Sequence, residues 1–279
     1  MANNIIFYFT GTGNSLKAGK DIANELSSSD IFPMVNFDGN LRAYERIGFV
    51  FPVYAGGLPN AVRYFFNRLN LNENMNSYYF AVATCGTDPL RLCDTFRPVL
   101  KGKMINVGYG NSIFDIKDIL QSKGVKLNYG NRIVAYSNNI LLHSMDGDIM
   151  VTIEKARQAA EFIGREVNKK TNRVTFQNRF FYKLMNSIFR KTVNDTDKSF
   201  NVNSNCNSCN LCSKICPARN ISIENGKHIF LHKCEQCIAC IQWCPKQAIN
   251  YKNITKNRKR YHHPEIEIYE MFINNLNKI

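Results

Sequence analysis

Residues 5–15 read Ile5-Ile6-Phe7-Tyr8-Phe9-Thr10-Gly11-Thr12-Gly13-Asn14-Ser15, and Leu16, Ala18, Ile22, Ala23 and Leu26 follow at helical spacing. Five apolar residues suit a buried strand, and the two glycines form a loop that opens a helix. The unit recurs in outline. Ile47–Val53 precedes a Gly-Gly-Leu-Pro turn and a helix over Ala61–Leu69; Tyr78–Thr84 precedes Cys-Gly-Thr-Asp-Pro and a helix over Leu90–Leu100. A strand near Met104–Val107 and a helix near Val151–Val167 extend the series, while 109–150 is the least readable stretch. Strands alternating with helices predict an α/β fold, a doubly wound parallel five-stranded sheet with its loops at the strand carboxyl ends.

The chain has 279 residues, near two average domains, and its hydrophobic and charged fractions, 44% and 21%, exclude global disorder. No apolar run is long enough for a membrane span, and the start lacks a cationic region before its apolar stretch, so a cytoplasmic protein is expected. The net charge is +14, yet residues 1–100 hold eight basic and eight acidic residues, so the excess lies beyond them. Eight of the ten cysteines fall between 206 and 244.

A phosphate set on Thr10-Gly11-Thr12-Gly13-Asn14-Ser15 would meet backbone N–H groups, a helix N-terminus and three hydroxyls. A Walker A loop needs a lysine after Gly13, and a dinucleotide fingerprint needs a small residue where Leu16 stands. A hydroxyl-rich loop without lysine suits a terminal phosphate monoester. Here the residues resemble flavodoxins, over roughly residues 1–165. The resemblance implies FMN, its phosphate on residues 10–15 and its ring between two further loops. One is Pro52-Val53-Tyr54-Ala55-Gly56-Gly57, with Tyr54 against the isoalloxazine. The other is Thr84-Cys85-Gly86-Thr87, which lacks the family's second stacking aromatic and would leave one flavin face open.

Cys206, Cys209, Cys212 and Cys216 precede Pro217, and Cys234, Cys237, Cys240 and Cys244 precede Pro245. Both read C-x2-C-x2-C-x3-C-P, offset by 28 residues, an internal duplication. Disulfides need an oxidising compartment, and structural zinc takes paired C-x2-C units without the third cysteine. Residues 201–251 thus resemble a bacterial dicluster ferredoxin, a small α+β domain with two [4Fe–4S] clusters. That resemblance implies crossed ligation: Cys206, Cys209, Cys212 and Cys244 for the first cluster, Cys234, Cys237, Cys240 and Cys216 for the second.

The whole chain resembles the flavodoxin–ferredoxin fusions called EFR-type ferredoxins. The organisation expected is a flavodoxin-like domain over 1–168, a basic amphipathic helix and linker over 169–200, a ferredoxin domain over 201–252, and a basic tail with a helix over 253–279. The resemblance implies an electron-transfer flavo-iron–sulfur protein relaying between FMN, the clusters and an external partner. A flavin-dependent reductase of a small substrate is the alternative, and a redox-sensing regulator a third. The excess positive charge points to an acidic redox partner.

The remaining features have plain expectations. The helical stripe Phe176, Phe180, Phe181, Leu184, Met185, Ile188 and Phe189, interleaved with Arg179, Lys183 and Arg190, is expected to pack between the domains; peripheral contact with an anionic membrane is the alternative. Cys85 and Cys93 read as small buried hydrophobes, and Trp243 as packing beside a cluster. His228, His232, His262 and His263 read as surface residues. The run Lys256–Arg260 reads as solvated, with no nucleic-acid motif beside it.

Overall fold

The computed structural model of the chain describes residues 2–86, 110–141, 148–175 and 180–272, the side chains of Phe180 and Phe181 excepted. The central sheet is built from β1 (Asn4–Tyr8), β2 (Ser29–Pro33), β3 (Arg46–Pro52), β4 (Tyr78–Gly86), β5 (Leu127–Ala135) and β6 (Arg173–Val174). All pairs are parallel, in the order β2-β1-β3-β4-β5-β6. The order 2-1-3-4-5 is that of the flavodoxin-like doubly wound fold, with its switch point beside the end of β1.

Side-chain alternation explains the two faces. Ile5, Phe7, Phe49, Ala81 and Ala83 point into one core, while Ile6, Val50, Phe80 and Val82 point into the other. The first face is covered by α2 (Asn60–Arg68) and α3 (Ser112–Ser122) through Phe65, Phe66, Ile116 and Leu120; the second by α1 (Asn14–Asn24) and α4 (Ile149–Asn168) through Ile22, Ala160 and Ile163. Phe7 and Phe65 lie 4.8 Å apart and Phe49 and Phe66 4.7 Å apart, giving the first core an aromatic centre.

The sheet has six strands, where five were expected. β2 escaped the reading because only Phe32 and Pro33 of it are buried, at the sheet edge. β5 lies in the stretch that resisted reading: Leu127, Tyr129 and Ile133 alternate with Asn128, Asn131 and Arg132, next to a two-residue edge strand. The strand expected at Met104–Val107 and the helix at Leu90–Leu100 lie outside the described residues, as do Thr87, Cys93, Phe176 and Arg179.

Beyond the sheet come α5 (Phe180–Thr192), a 3-10 segment over Val193–Ser199, and the cysteine-rich region with β7 (Phe200–Val202), α6 (Leu211–Lys214), β8 (Ile221–Glu224), β9 (Lys227–Phe230), α7 (Ala239–Gln242) and β10 (Ile249–Tyr251). β7 pairs with β10 and β8 with β9, both antiparallel. The stretch expected as a linker is held in place: buried Asp197 accepts from Asn220 Nδ2 at 2.8 Å and from the His232 N at 3.1 Å. Of the helix expected near the carboxyl end, the described part holds a 3-10 turn, Ile268–Met271, and the residues after Phe272 lie outside the described ones. Among the described residues no helix is long and apolar enough to cross a membrane.

Ile215, Cys237, Ala239, Trp243, Ile266 and Met271 belong to the same buried cluster as Phe7, Phe49 and Phe65. The cysteine-rich region and the last described segment therefore close over one end of the sheet.

Candidate functional site

The 28-residue repeat survives in the backbone. α6 and α7 begin at Leu211 and Ala239 and end at Lys214 and Gln242, at that same offset. Ser208 and Gln236 (φ 55° and 52°), Asn210 and Ile238 (60° and 53°), and Arg219 and Gln247 (49° and 47°) are all left-handed. For a β-branched residue such as Ile238 this is costly, and it is the conformation that turns successive N–H groups toward one point. The N–H groups of Asn220 and Ala248 donate to Cys216 Sγ and Cys244 Sγ at 3.2 and 3.3 Å, and that of Gln236 donates to Cys234 Sγ at 3.3 Å.

The thiols sort across the repeat. Burial pushes the Cys212 thiol up to about 11, and Cys244, Cys209 and Cys206 add to the rise. Burial pushes Cys234 up to about 12 and Cys237 and Cys240 well above the usual range, with Cys216 adding to the rise in all three. Cys206, Cys209, Cys212 and Cys244 line one cavity, joined by Cys240 and Trp243. Cys216, Cys234, Cys237 and Cys240 are all buried, whereas Cys209 is exposed and Cys206 and Cys244 half-buried. The nine described cysteines are free thiols.

Among the described residues no three His, Cys, Asp or Glu side chains converge closely enough for a single metal ion. A cubane is wider than an ion and holds its four thiolates apart, so donor chemistry is the fitting test. Eight thiols in two crossed sets, backbone N–H groups on sulfur, and two orphaned polar groups beside them suit a pair of such clusters. The orphans are the buried Tyr54 hydroxyl and the Nε and Nη1 of Arg260, neither with a hydrogen-bond partner. Burial raises the Tyr54 pKa, with Cys237, Glu235 and Cys234 adding to the rise, and Tyr54 packs on the buried cluster that contains Cys237. Arg260, its pKa lowered by burial, has Cys244 and Cys240 as its opposing charges. Glu235 also faces this set: burial raises its carboxyl to about 7, against hydrogen bonds from the backbone of Ala61 and Asn60.

The loop expected to hold the FMN phosphate does not fit that group as it stands. Thr10, Thr12 and Ser15 are all buried, and their hydroxyls are engaged. Thr10 Oγ1 accepts from Gly13 N at 3.0 Å, Thr12 Oγ1 accepts from Asn138 Nδ2 at 2.7 Å, and Ser15 Oγ pairs with Thr84 Oγ1 at 2.8 Å. Trp243 Nε1 donates to Gly11 O at 3.1 Å, and His263 N donates to Thr12 O at 2.8 Å. A Cβ added at Gly11 would lie 2.3 Å from Cys237 O; one at Gly13 (φ +93°) would lie 3.1 Å from His263 Cβ. Asn14 is gripped by Tyr136 O at 3.0 Å and by Tyr261 Oη at 2.7 Å.

The second expected loop is covered by α5. Asn186 Nδ2 donates to Tyr54 O at 2.9 Å, and a Cβ at Gly56 or Gly57 would run into Tyr182 or Asn186. Tyr54 packs edge-on against Phe9 and Phe189 beside Val53, with Pro52 ending β3 and Ala55 left-handed at φ 46°. In the third, Thr84 and Cys85 are buried and Gly86 is exposed. Burial raises the Cys85 thiol to about 11, so it is a packed hydrophobe.

Three expectations need correction. His263 is buried, not a surface residue, because its ring closes the glycine loop; burial lowers its pKa to about 4. His262 is exposed but stacks on Trp243 at 4.0 Å. Of the described stripe side chains on α5, Phe189 packs, against Tyr54, while Leu184, Met185 and Ile188 are exposed, because the helix buries a different face, the one carrying Tyr182 and Asn186. The basic run is partly tied, Arg258 Nη1 to Ile140 O at 2.6 Å and Arg260 Nη2 to Asn250 Oδ1 at 2.7 Å. Sequence reasoning missed Asn138, Tyr261 and His263 at the loop, since none stands in a motif.

No family model matches the chain, and no curated protein matches it. Among solved structures, one similar to it is a flavodoxin from the domain Archaea, at 11% identity and a TM-score of 0.40, covering 60% of this chain and 96% of that one. Another is an NAD(P)H:quinone oxidoreductase from Methanothermobacter marburgensis (13%, TM-score 0.36, 59% and 94%). A third is an FMN-dependent NADH-azoreductase from Bacillus anthracis in complex with FMN (10%, TM-score 0.37, 60% and 100%).

Proposed function

We propose that this chain is a one-electron carrier holding two [4Fe–4S] clusters, the first on Cys206, Cys209, Cys212 and Cys244 and the second on Cys216, Cys234, Cys237 and Cys240. When bound, each cluster supplies a one-electron couple. The chain positions the thiolates, aims backbone N–H groups at them and excludes water from the second set. The observation that carries the reading is the duplicated left-handed backbone with its thiols sorted across the repeat. Residues 201–252 form the cluster domain in this reading and residues 1–168 the sheet domain. The partner is an acidic redox protein, met by the excess positive charge beyond residue 100. Anaerobic reconstitution with iron and sulfide tests it: about eight irons per chain and two paramagnetic centres on reduction are expected. A preparation that stays colourless and iron-free refutes it.

A second reading, a relay between FMN and the clusters or a reductase working through FMN, has one observation in its favour. The 10–15 loop stands at the carboxyl end of β1, at the switch point where such sheets bind ligands. It requires the segments over that loop to leave first.

A further inference from the structure

We infer that the crevice at the switch point is a wall of the second cluster and not a flavin site: residues 10–15 seat the Cys237 loop, the Tyr54 hydroxyl is the side-chain donor to that cluster, and the chain loaded with both clusters binds no FMN. The inference rests on the two-cluster reading above.

Three independent observations meet here. The glycines that would admit a phosphate admit the chain instead. Gly11 touches the carbonyl and Cβ of Cys237, and Gly13 touches His263 and Ile266. Each loop hydroxyl and two loop carbonyls already have partners from within the chain, so an entering phosphate would have to break them. Asn14, where the helix opens, is held as well, by Tyr136 O at 3.0 Å and by Tyr261 Oη at 2.7 Å.

Tyr54 stands where a flavin-stacking ring would be expected, but it stacks on no open face. Phe9 and Phe189 flank it at 6.3 Å each, and α5 lies over the neighbouring glycines. Its hydroxyl is buried without a partner. A buried donor left unsatisfied is costly, so a partner is expected where it points. Tyr54 packs on the buried cluster that contains Cys237, so a cluster ligated by Cys234 and Cys237 would provide sulfur acceptors there. Hydrogen bonds to cluster sulfur favour the reduced, more negative state and so raise the reduction potential.

The test uses the full chain reconstituted anaerobically with both clusters. Flavin released on denaturation should be far below stoichiometric, and added FMN should keep its free fluorescence. Tyr54→Phe should lower the potential of one cluster, read by redox titration with paramagnetic resonance, and leave the other unmoved. Gly11→Ala should push on the Cys237 carbonyl and cost the second cluster, with iron falling toward about four per chain. One tightly bound FMN per chain beside eight irons would overturn the inference while sparing the two-cluster reading. So would a Tyr54→Phe protein with both potentials unchanged. Failure to load clusters at all would overturn both.

Discussion

Lowering the pH from about 7 to about 5 should loosen the segment that closes the 10–15 loop, through His263. The ring is buried against Gly13, its Nδ1 accepts from Glu265 N at 3.2 Å, and burial lowers its pKa to about 4. The facing charges are Glu265, which favours protonation, and Lys17, Arg157 and His262, which oppose it. Glu265 is itself held by Lys17 at 3.1 Å and Arg157 at 3.0 Å. The unfolded chain binds this proton near pH 6.5 and the folded chain only near 4, so the contribution is complete above about 6.5 and is lost as the pH falls toward 4. The gap amounts to about 3 kcal/mol in all, of which about 2 kcal/mol is lost between about pH 7 and about pH 5. In a chain of this length that is about 5 °C in melting temperature. The assay is thermal or urea unfolding of the cluster-loaded protein and of His263→Asn, whose amide oxygen keeps the acceptor without titrating. Both lose whatever stability the clusters lose in acid, so only the difference between them reports on His263. That difference should shrink by about 2 kcal/mol over the interval. Parallel pH profiles would refute the reasoning.

Cys216→Ala should cost the cluster shared with Cys234, Cys237 and Cys240; iron analysis with paramagnetic resonance checks this, and loss confined to the other cluster would refute the crossed ligation. Arg260→Met removes a cation beside Cys244 and Cys240 and should lower the potential of the first cluster more than that of the second, in the same redox titration. Electron transfer to an acidic partner should slow by on the order of tenfold from about 0.05 to about 0.5 M salt, by stopped-flow mixing; a rate indifferent to salt refutes the charge argument.

The parts of this molecule that were legible in its sequence are those whose residues must sit close together along the chain. The strand–loop–helix at residues 5–26 is one, because a strand buried on both faces has to be continuously apolar. The cysteine runs are another, since four thiolates around one cluster leave little freedom in spacing, and the duplication carried over to left-handed backbone angles at three pairs of positions. Strands at the sheet edge and next to it were less legible. Ser29–Pro33 and Leu127–Ala135 meet solvent on part of their surface and so carry mixed residues. The cover over the glycine loop was not legible at all. Trp243, Tyr261 and His263 are more than 230 residues from the loop they grip, and a hydrogen bond to a backbone carbonyl leaves no pattern in composition.

The position of that cover follows from the size of the cysteine-rich region. About fifty residues leave a large share of their surface outside their own small core, and here part of that surface is buried on the sheet end. The thiols divide accordingly. In the first set Cys209 is exposed, Cys206 and Cys244 are half-buried and Cys212 is buried, whereas Cys237 is pressed against Gly11 and shares a core with Phe7, Phe49 and Phe65. Placing the second set on the sheet end surrounds it with Tyr54, Trp243 and the covered loop, which exclude water and raise the cost of adding negative charge there. The first set keeps the surface, next to the Arg260 guanidinium, where an electron can pass to or from a partner. In the proposed reading the sheet shields the inner cluster, and the loop that marks the switch point serves the fold by receiving the chain itself.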